Sequence, residues 1–170
     1  MTAFQAAALV VGVAACVTDI RSRRVPNWLT FTSAAAGVTL HALLPEGHGP
    51  WSALAGLATG LAVFFPFFAL GGLGAGDVKL MAALGAWLGW QHTVWTAIYG
   101  SVAGGVLAVV VGLSQGYLST AFANLRGMLT TWWLVGLHPI PEHTLASGRG
   151  PRLPYALPIF AGLLVTLWRH

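Results

Sequence analysis

The chain holds two aspartates, Asp19 and Asp77, and each stands where an apolar stretch meets a short polar one. Each has a cation two positions on, as Asp19-Ile20-Arg21 and Asp77-Val78-Lys79. A carboxylate at the edge of an apolar segment is expensive to keep and calls for a reason. Two carboxylates suffice for acid/base hydrolysis: one takes a proton from water while the other, protonated, hydrogen-bonds a carbonyl. At a separation of about 4 Å they repel by roughly 4 kcal/mol at an effective dielectric of 20, so a close pair holds one proton between them.

The residues beside each aspartate add to this. After Asp19, Arg21, Arg23 and Arg24 lead into Val25-Pro26-Asn27, where Pro26 fixes the backbone and Asn27 is suited to cap a second helix. Before Asp77 stand Gly71, Gly72, Gly74 and Gly76, which permit left-handed turns and close approach by another backbone. An extended peptide substrate needs such an approach. A plainer reading exists for each part. Asp77 begins a helix and Asp is a good N-cap; Asp19 pairs with Arg21 or Arg23; Arg21 and Lys79 only set topology. Two such sites on one face of a chain with no other aspartate weigh toward chemistry, with Arg21 and Lys79 orienting the pair or meeting substrate charge.

The elements that must position them are helices in a membrane. Of 170 residues 56% are hydrophobic and 7% charged, against roughly 25% charged in a soluble domain. Mean hydropathy is +0.75. The expectation is one bilayer domain over residues 1–170: an all-α, polytopic transmembrane helix bundle of about six spans plus a cytoplasmic interfacial helix. The spans run roughly 3–18, 28–44, 51–70, 78–90, 93–113 and 153–168. Residues 115–137 carry apolar residues at helical spacing around Arg126 and read as the interfacial helix, and 138–152 as a Pro/Gly-rich loop. Pro154 and Pro158 are expected to distort the first turns of the last span.

The net charge of +4 comes without a basic stripe, which excludes nucleic acid as a partner; the cations read as topology signals. Arg21, Arg23, Arg24, Lys79, Arg126, Arg149 and Arg152 fall on one side if the N-terminus faces outward. Both aspartates then lie at the cytoplasmic boundary and both termini on the outer side. Trp51, Trp90, Trp95 and Trp168 mark the outer level and Trp28 the inner one. The outer turns, Pro45 to Pro50 and around Gln91-His92, hold no Lys or Arg. The fourth span covers only about 20 Å of a roughly 30 Å core, so either the bilayer thins there or the helix starts below the membrane surface, and a sunken start would set Asp77 in a water-filled dip. Cys16 is alone, and the six histidines lack His-Glu-x-x-His spacing, so they read as loop or interface residues. No metal or organic cofactor is expected. Val13-Ala14-Ala15-Cys16 resembles a lipoprotein cleavage box, but no Lys or Arg precedes it, and the segment reads as a retained span.

Asp19-x-Arg21…Val25-Pro26-Asn27 and Gly74-x-Gly76-Asp77-x-Lys79 together resemble the two hallmark motifs of the type IV prepilin peptidases, bacterial members of the GxGD class of membrane aspartic proteases. Arg152-Leu153-Pro154-Tyr155-Ala156-Leu157-Pro158 is similar to that family's Pro-Tyr lead into the last span. The resemblance implies catalysis by Asp19 and Asp77, supported by Arg21, Pro26, Asn27, Gly74, Gly76 and Lys79. It implies a bacterial inner-membrane enzyme facing the cytoplasm, acting on a prepilin or pseudopilin whose short basic leader joins an apolar helix. Larger relatives add a cytoplasmic insert with paired Cys-x-x-Cys motifs. This chain, with Cys16 alone, resembles the short peptidase-only form of Tad/Flp-type pili, and N-methyltransferase activity is not expected.

Three rivals are weighed against this. A proton- or cation-coupled transporter would use the same carboxylates as ion relays, but both sit near one boundary and the spans show no inverted repeat. A presenilin-like enzyme would need Tyr before the first Asp and a Pro-Ala-Leu motif; here Thr18 precedes Asp19 and Pro-Ala-Leu is absent. A scaffold without chemistry would use both aspartates as caps.

Overall fold

A computed structural model describes residues 1–45, 47–70, 72–116, 123, 126, 127, 130, 133, 136 and 154–169. The expected interfacial helix over 115–137 and the loop over 138–152 lie largely outside the described residues. Among those residues the chain is all-helical: α1 (Ala3–Ser22), α2 (Asn27–Leu43), α3 (Pro50–Ala69), α4 (Ala75–Ser114) and α5 (Ala156–Arg169). Helices α1, α3 and α4 are long and apolar enough to cross a membrane, and α5 is a shorter apolar helix. Several apolar helices with their backbones satisfied internally make this a multi-pass membrane protein.

Helix α1 starts on a capping box, with Gln5 N–H donating to Thr2 Oγ1 and Thr2 N–H to Gln5 Oε1. It runs to Ser22, a turn beyond the expected end, so Asp19 is held inside its last turn. Arg23 closes it in the left-handed region (φ 54°), its N–H donating to Asp19 O at 2.8 Å.

The expected fourth and fifth spans are two helical arms of α4, residues 75–88 and 90–114, which meet at Gly89, two residues before the turn expected at Gln91-His92. Gly89 lies outside the helical region (φ 72°, ψ 172°), so α4 holds two helices joined at a kink, and Gln91 and His92 belong to the second. Glycine adopts that conformation without a Cβ penalty. A break in a helix leaves backbone acceptors without their ladder partners, and neighbouring side chains can serve them. His41 Nε2 lies 3.2 Å from Trp87 O, and the Trp87 indole donates to Ser33 Oγ at 2.9 Å. His48 N–H donates to His41 Nδ1 at 3.3 Å, which leaves Nε2 as the donor to Trp87. His41 is therefore a buried strut from α2 to the break, stacked on Phe4 at 4.0 Å, and not the loop or interface residue expected.

The first arm of α4, residues 75–88, is the centre of the bundle. Leu80, Met81 and Leu84 are fully buried, and α2, α3 and α5 all pack on α4, α3 most extensively. An arm wrapped by other helices need not span the hydrocarbon alone, which accounts for its length of about 20 Å. Gly56 and Gly85 make the α3–α4 contact backbone to backbone, and a Cβ on either would meet the main chain of the other. The distortion expected at the start of the last helix does not occur. Pro154 lies before α5, and Pro158 falls in its first turn, where a missing N–H breaks no ladder bond.

Candidate active site

The two aspartate motifs and the start of α5 enclose a cavity of about 780 Å³. Asp19 and Asp77 both line it and are both buried, at 7% and 8% exposure. Asp19 reaches the cavity from the last turn of α1, and its Oδ2 accepts the Ala156 N–H at 3.2 Å. One turn earlier, Cys16 Sγ donates to Ala156 O at 3.4 Å. The first amides of a helix have no partner inside it, and a carboxylate there also meets the positive end of the dipole. Asp19 thereby caps α5 from another helix.

Asp77 is not the N-cap of its own helix. Gly74 is, and the Asp77 N–H donates to Gly74 O at 3.1 Å. In the first turn the Asp77 side chain folds back over the cap: a Cβ on residue 74 would stand 3.0 Å from Asp77 Oδ2. Glycine at 74 leaves that carboxylate its space. Gly76 faces Val25, 3.5 Å from a Cβ at 76 to Val25 Cβ, so the glycine-rich turn packs straight onto the first motif.

Lys79 Nζ donates to Asn27 Oδ1 at 3.0 Å, joining the motifs across 52 positions, and lies 5.5 Å from the Phe31 ring centroid. Asn27 was expected to cap α2. It is instead the first residue of that helix, Pro26 is the N-cap, and no side-chain cap bond is made. The ammonium group takes the amide oxygen a cap would have used.

Of the expected site residues, Asp19, Pro26, Asn27, Gly74, Gly76, Asp77 and Lys79 all line the cavity. Arg21 does not: it is exposed on the last turn of α1, and Arg23 and Arg24 form the cationic wall. Tyr155 was not singled out from the sequence, although the Pro-Tyr segment around it was. It lines the cavity. Burial, and then the Asp77 carboxylate, push its phenol above its ordinary range, so it stays an O–H donor at neutral pH. Among the described residues no group of three or more His, Cys, Asp or Glu is placed to hold a metal. Two carboxylates, a phenol and three cations around one space can bind a peptide carbonyl and activate a water.

Fold and cavity define a helical membrane protein with a buried pair of acids. A family model described as the type IV leader peptidase family matches residues 6–109, more than half of the chain and both aspartate motifs. The chain belongs to that family. It is 36% identical over 91 residues to a prepilin leader peptidase/N-methyltransferase of Klebsiella pneumoniae, covering 50% of this chain and 40% of that protein. It is 32% identical over 103 residues to one from Aeromonas salmonicida strain A449 (57% and 35% covered), and 32% over 113 residues to one from Escherichia coli K12 (63% and 50%). The chain thus spans half or less of the length of these relatives. No solved structure matches it. Tyr155 and Ala156 lie beyond the matched residues. Nothing in these likenesses supports the transporter reading.

Proposed function

We propose that the chain is an aspartic endopeptidase that cuts the short basic leader from a type IV prepilin or pseudopilin. The observation that carries this is the shared cavity: the only two aspartates of the chain, on α1 and α4, line one space. One carboxylate takes a proton from water, and the water oxygen attacks the scissile carbonyl carbon. The protonated partner donates to the carbonyl oxygen. Collapse of the tetrahedral species breaks the C–N bond, and the amine leaves with the proton held by the base. Lys79, tied to Asn27, keeps the two motif turns in register, and Tyr155 offers a further donor to the substrate main chain. Arg21 acts in topology and not in the cavity.

In this reading residues 1–170 form one domain that crosses the bacterial inner membrane six times, with the arms of α4 as separate passes. The cation distribution supports a cytoplasmic cavity and outer termini. The apolar substrate helix reaches the cavity by lateral diffusion in the bilayer. Methyl transfer, which the relatives' names include, is left out of this function: with Cys16 alone the chain cannot supply paired cysteines.

The test is co-expression with candidate prepilins of the same genome, reading the new N-terminus by mass spectrometry, for the wild type, Asp19→Asn and Asp77→Asn. Leader release by the wild type alone is expected. Near wild-type trimming by both variants would show that the dyad is wrong. Substrate-dependent acidification of sealed vesicles without leader release would favour transport.

A further inference from the structure

Where helices of this chain meet, glycine marks the contact. The Cβ positions of Gly56, Gly60 and Gly162 are taken up by the backbones of Gly85, Met81 and Gly100. Small residues allow such close approach of apolar helices in a bilayer. Past its contact with α5 at Gly100, the second arm of α4 carries the same signal at Gly104 and Gly105, with little of the described chain against them. Among the described residues, a Cβ on Gly105 meets nothing within 4 Å, and one on Gly104 meets only the Pro158 ring, at 3.6 Å.

These two glycines line a groove of about 320 Å³ between the end of α3 (Phe64, Phe67), the second arm of α4 and the start of α5 (Pro158). Among the described residues that line it, none is charged. Tyr155 lines both this groove and the aspartate cavity, so the two spaces meet at one ring.

We propose that this groove seats the apolar helix of the substrate, an inference that rests on the leader-peptidase reading. The unfilled glycine seam fits a helix, and the uncharged walls fit an apolar one. The opening at Tyr155 fits a substrate whose scissile bond lies at that helix's cytoplasmic end. A leader joined to an apolar helix has this form. The glycines let the substrate backbone come close, and Tyr155 divides the helix seat from the reacting bond.

The test uses the full chain in membrane vesicles with a prepilin that it cleaves. Gly105→Leu fills the groove without meeting another part of the described chain, and is expected to raise KM at least ten-fold with kcat within two-fold. Val110→Phe adds bulk to an exposed position of the same helix outside the groove, and wild-type kinetics are expected. In a Cys16→Ser background, Gly105→Cys is paired with single cysteines placed along the prepilin helix and along residues 117–153 of this chain. Disulfides to the prepilin helix are expected. Disulfides only to residues 117–153, or wild-type kinetics for Gly105→Leu, overturn the inference while leaving the peptidase reading standing. If the wild-type protein releases no leader from any prepilin, the peptidase reading fails and takes the inference with it.

Discussion

The main-chain N–H of Ala156 donates to Oδ2 of Asp19 at 3.2 Å, across 137 positions of sequence. Because Cys16 Sγ donates to the carbonyl of the same residue, α1 grips both main-chain groups at the start of α5. The grip works in both directions: α5 is seated by α1, and the Asp19 carboxylate is oriented by α5. A hydrogen bond to a charged group contributes about 1.5–3 kcal/mol, enough to select one rotamer.

This makes Cys16 a positioning residue. Cys16→Ser, which keeps a donor of similar size, should retain leader cleavage within about three-fold. Cys16→Leu overpacks the α1–α5 contact, which typically costs about 1–3 kcal/mol. It should lower kcat more than it raises KM, because Asp19 and not the substrate seat is disturbed. Steady-state kinetics and thermal unfolding in detergent check both.

Acids that act as one unit do not lose activity additively. Asp19→Asn and Asp77→Asn should each reduce kcat by about 10²–10⁴-fold, the range of acid/base assistance. The double variant should be no slower than the worse single one. A multiplicative loss would mean that the two carboxylates work separately.

Two interacting carboxylates titrate in two macroscopic steps. Activity should rise as the first proton leaves the pair, restoring a base, and fall as the second leaves, removing the acid. Tyr155 does not supply the upper limb. Its phenol is raised from an ordinary value of 10.0, so it is still protonated where an unperturbed tyrosine begins to ionise. Tyr155→Phe should lower the rate yet move neither limb by more than about one pH unit. A larger displacement would assign the limb to the phenol.

The Lys79–Asn27 bond predicts coupling. Lys79→Met and Asn27→Ala should each weaken cleavage, and the double variant should lose about 0.5–3 kcal/mol less than their sum, as for residues in direct contact. Full additivity in a double-mutant cycle on kcat/KM would show that the ammonium group meets the substrate and not the amide.

Gly85→Ala should destabilise the bundle by about 1–3 kcal/mol or more, because its Cβ runs into the main chain of α3, which cannot step aside like a side chain. The unfolding midpoint in detergent should fall accordingly. Pairing it with Gly56→Ala should not rescue it, since both changes crowd the same contact.

Much of this protein was legible in its sequence because the signals are local. Apolar runs must be helices in lipid, and a carboxylate at the end of such a run stands out whatever surrounds it. Asp19, Asp77, Lys79 and the Gly74-x-Gly76 turn could be named from composition and spacing alone. Tertiary structure decided the rest. That two helices meet near Gln91-His92 was legible in sequence; that they meet at Gly89, with His41 serving Trp87 O, was set by packing. Arg21 looks like part of the site and lies outside it, because the left-handed turn at Arg23 carries the chain on so that Arg23 and Arg24 face the cavity. Tyr155 and Ala156 carry no local mark of their role. What joins Ala156 to Asp19 is the packing of two helices from opposite ends of the chain, and hydrophobic periodicity, which records only whether a face is apolar, does not say which helix will meet it.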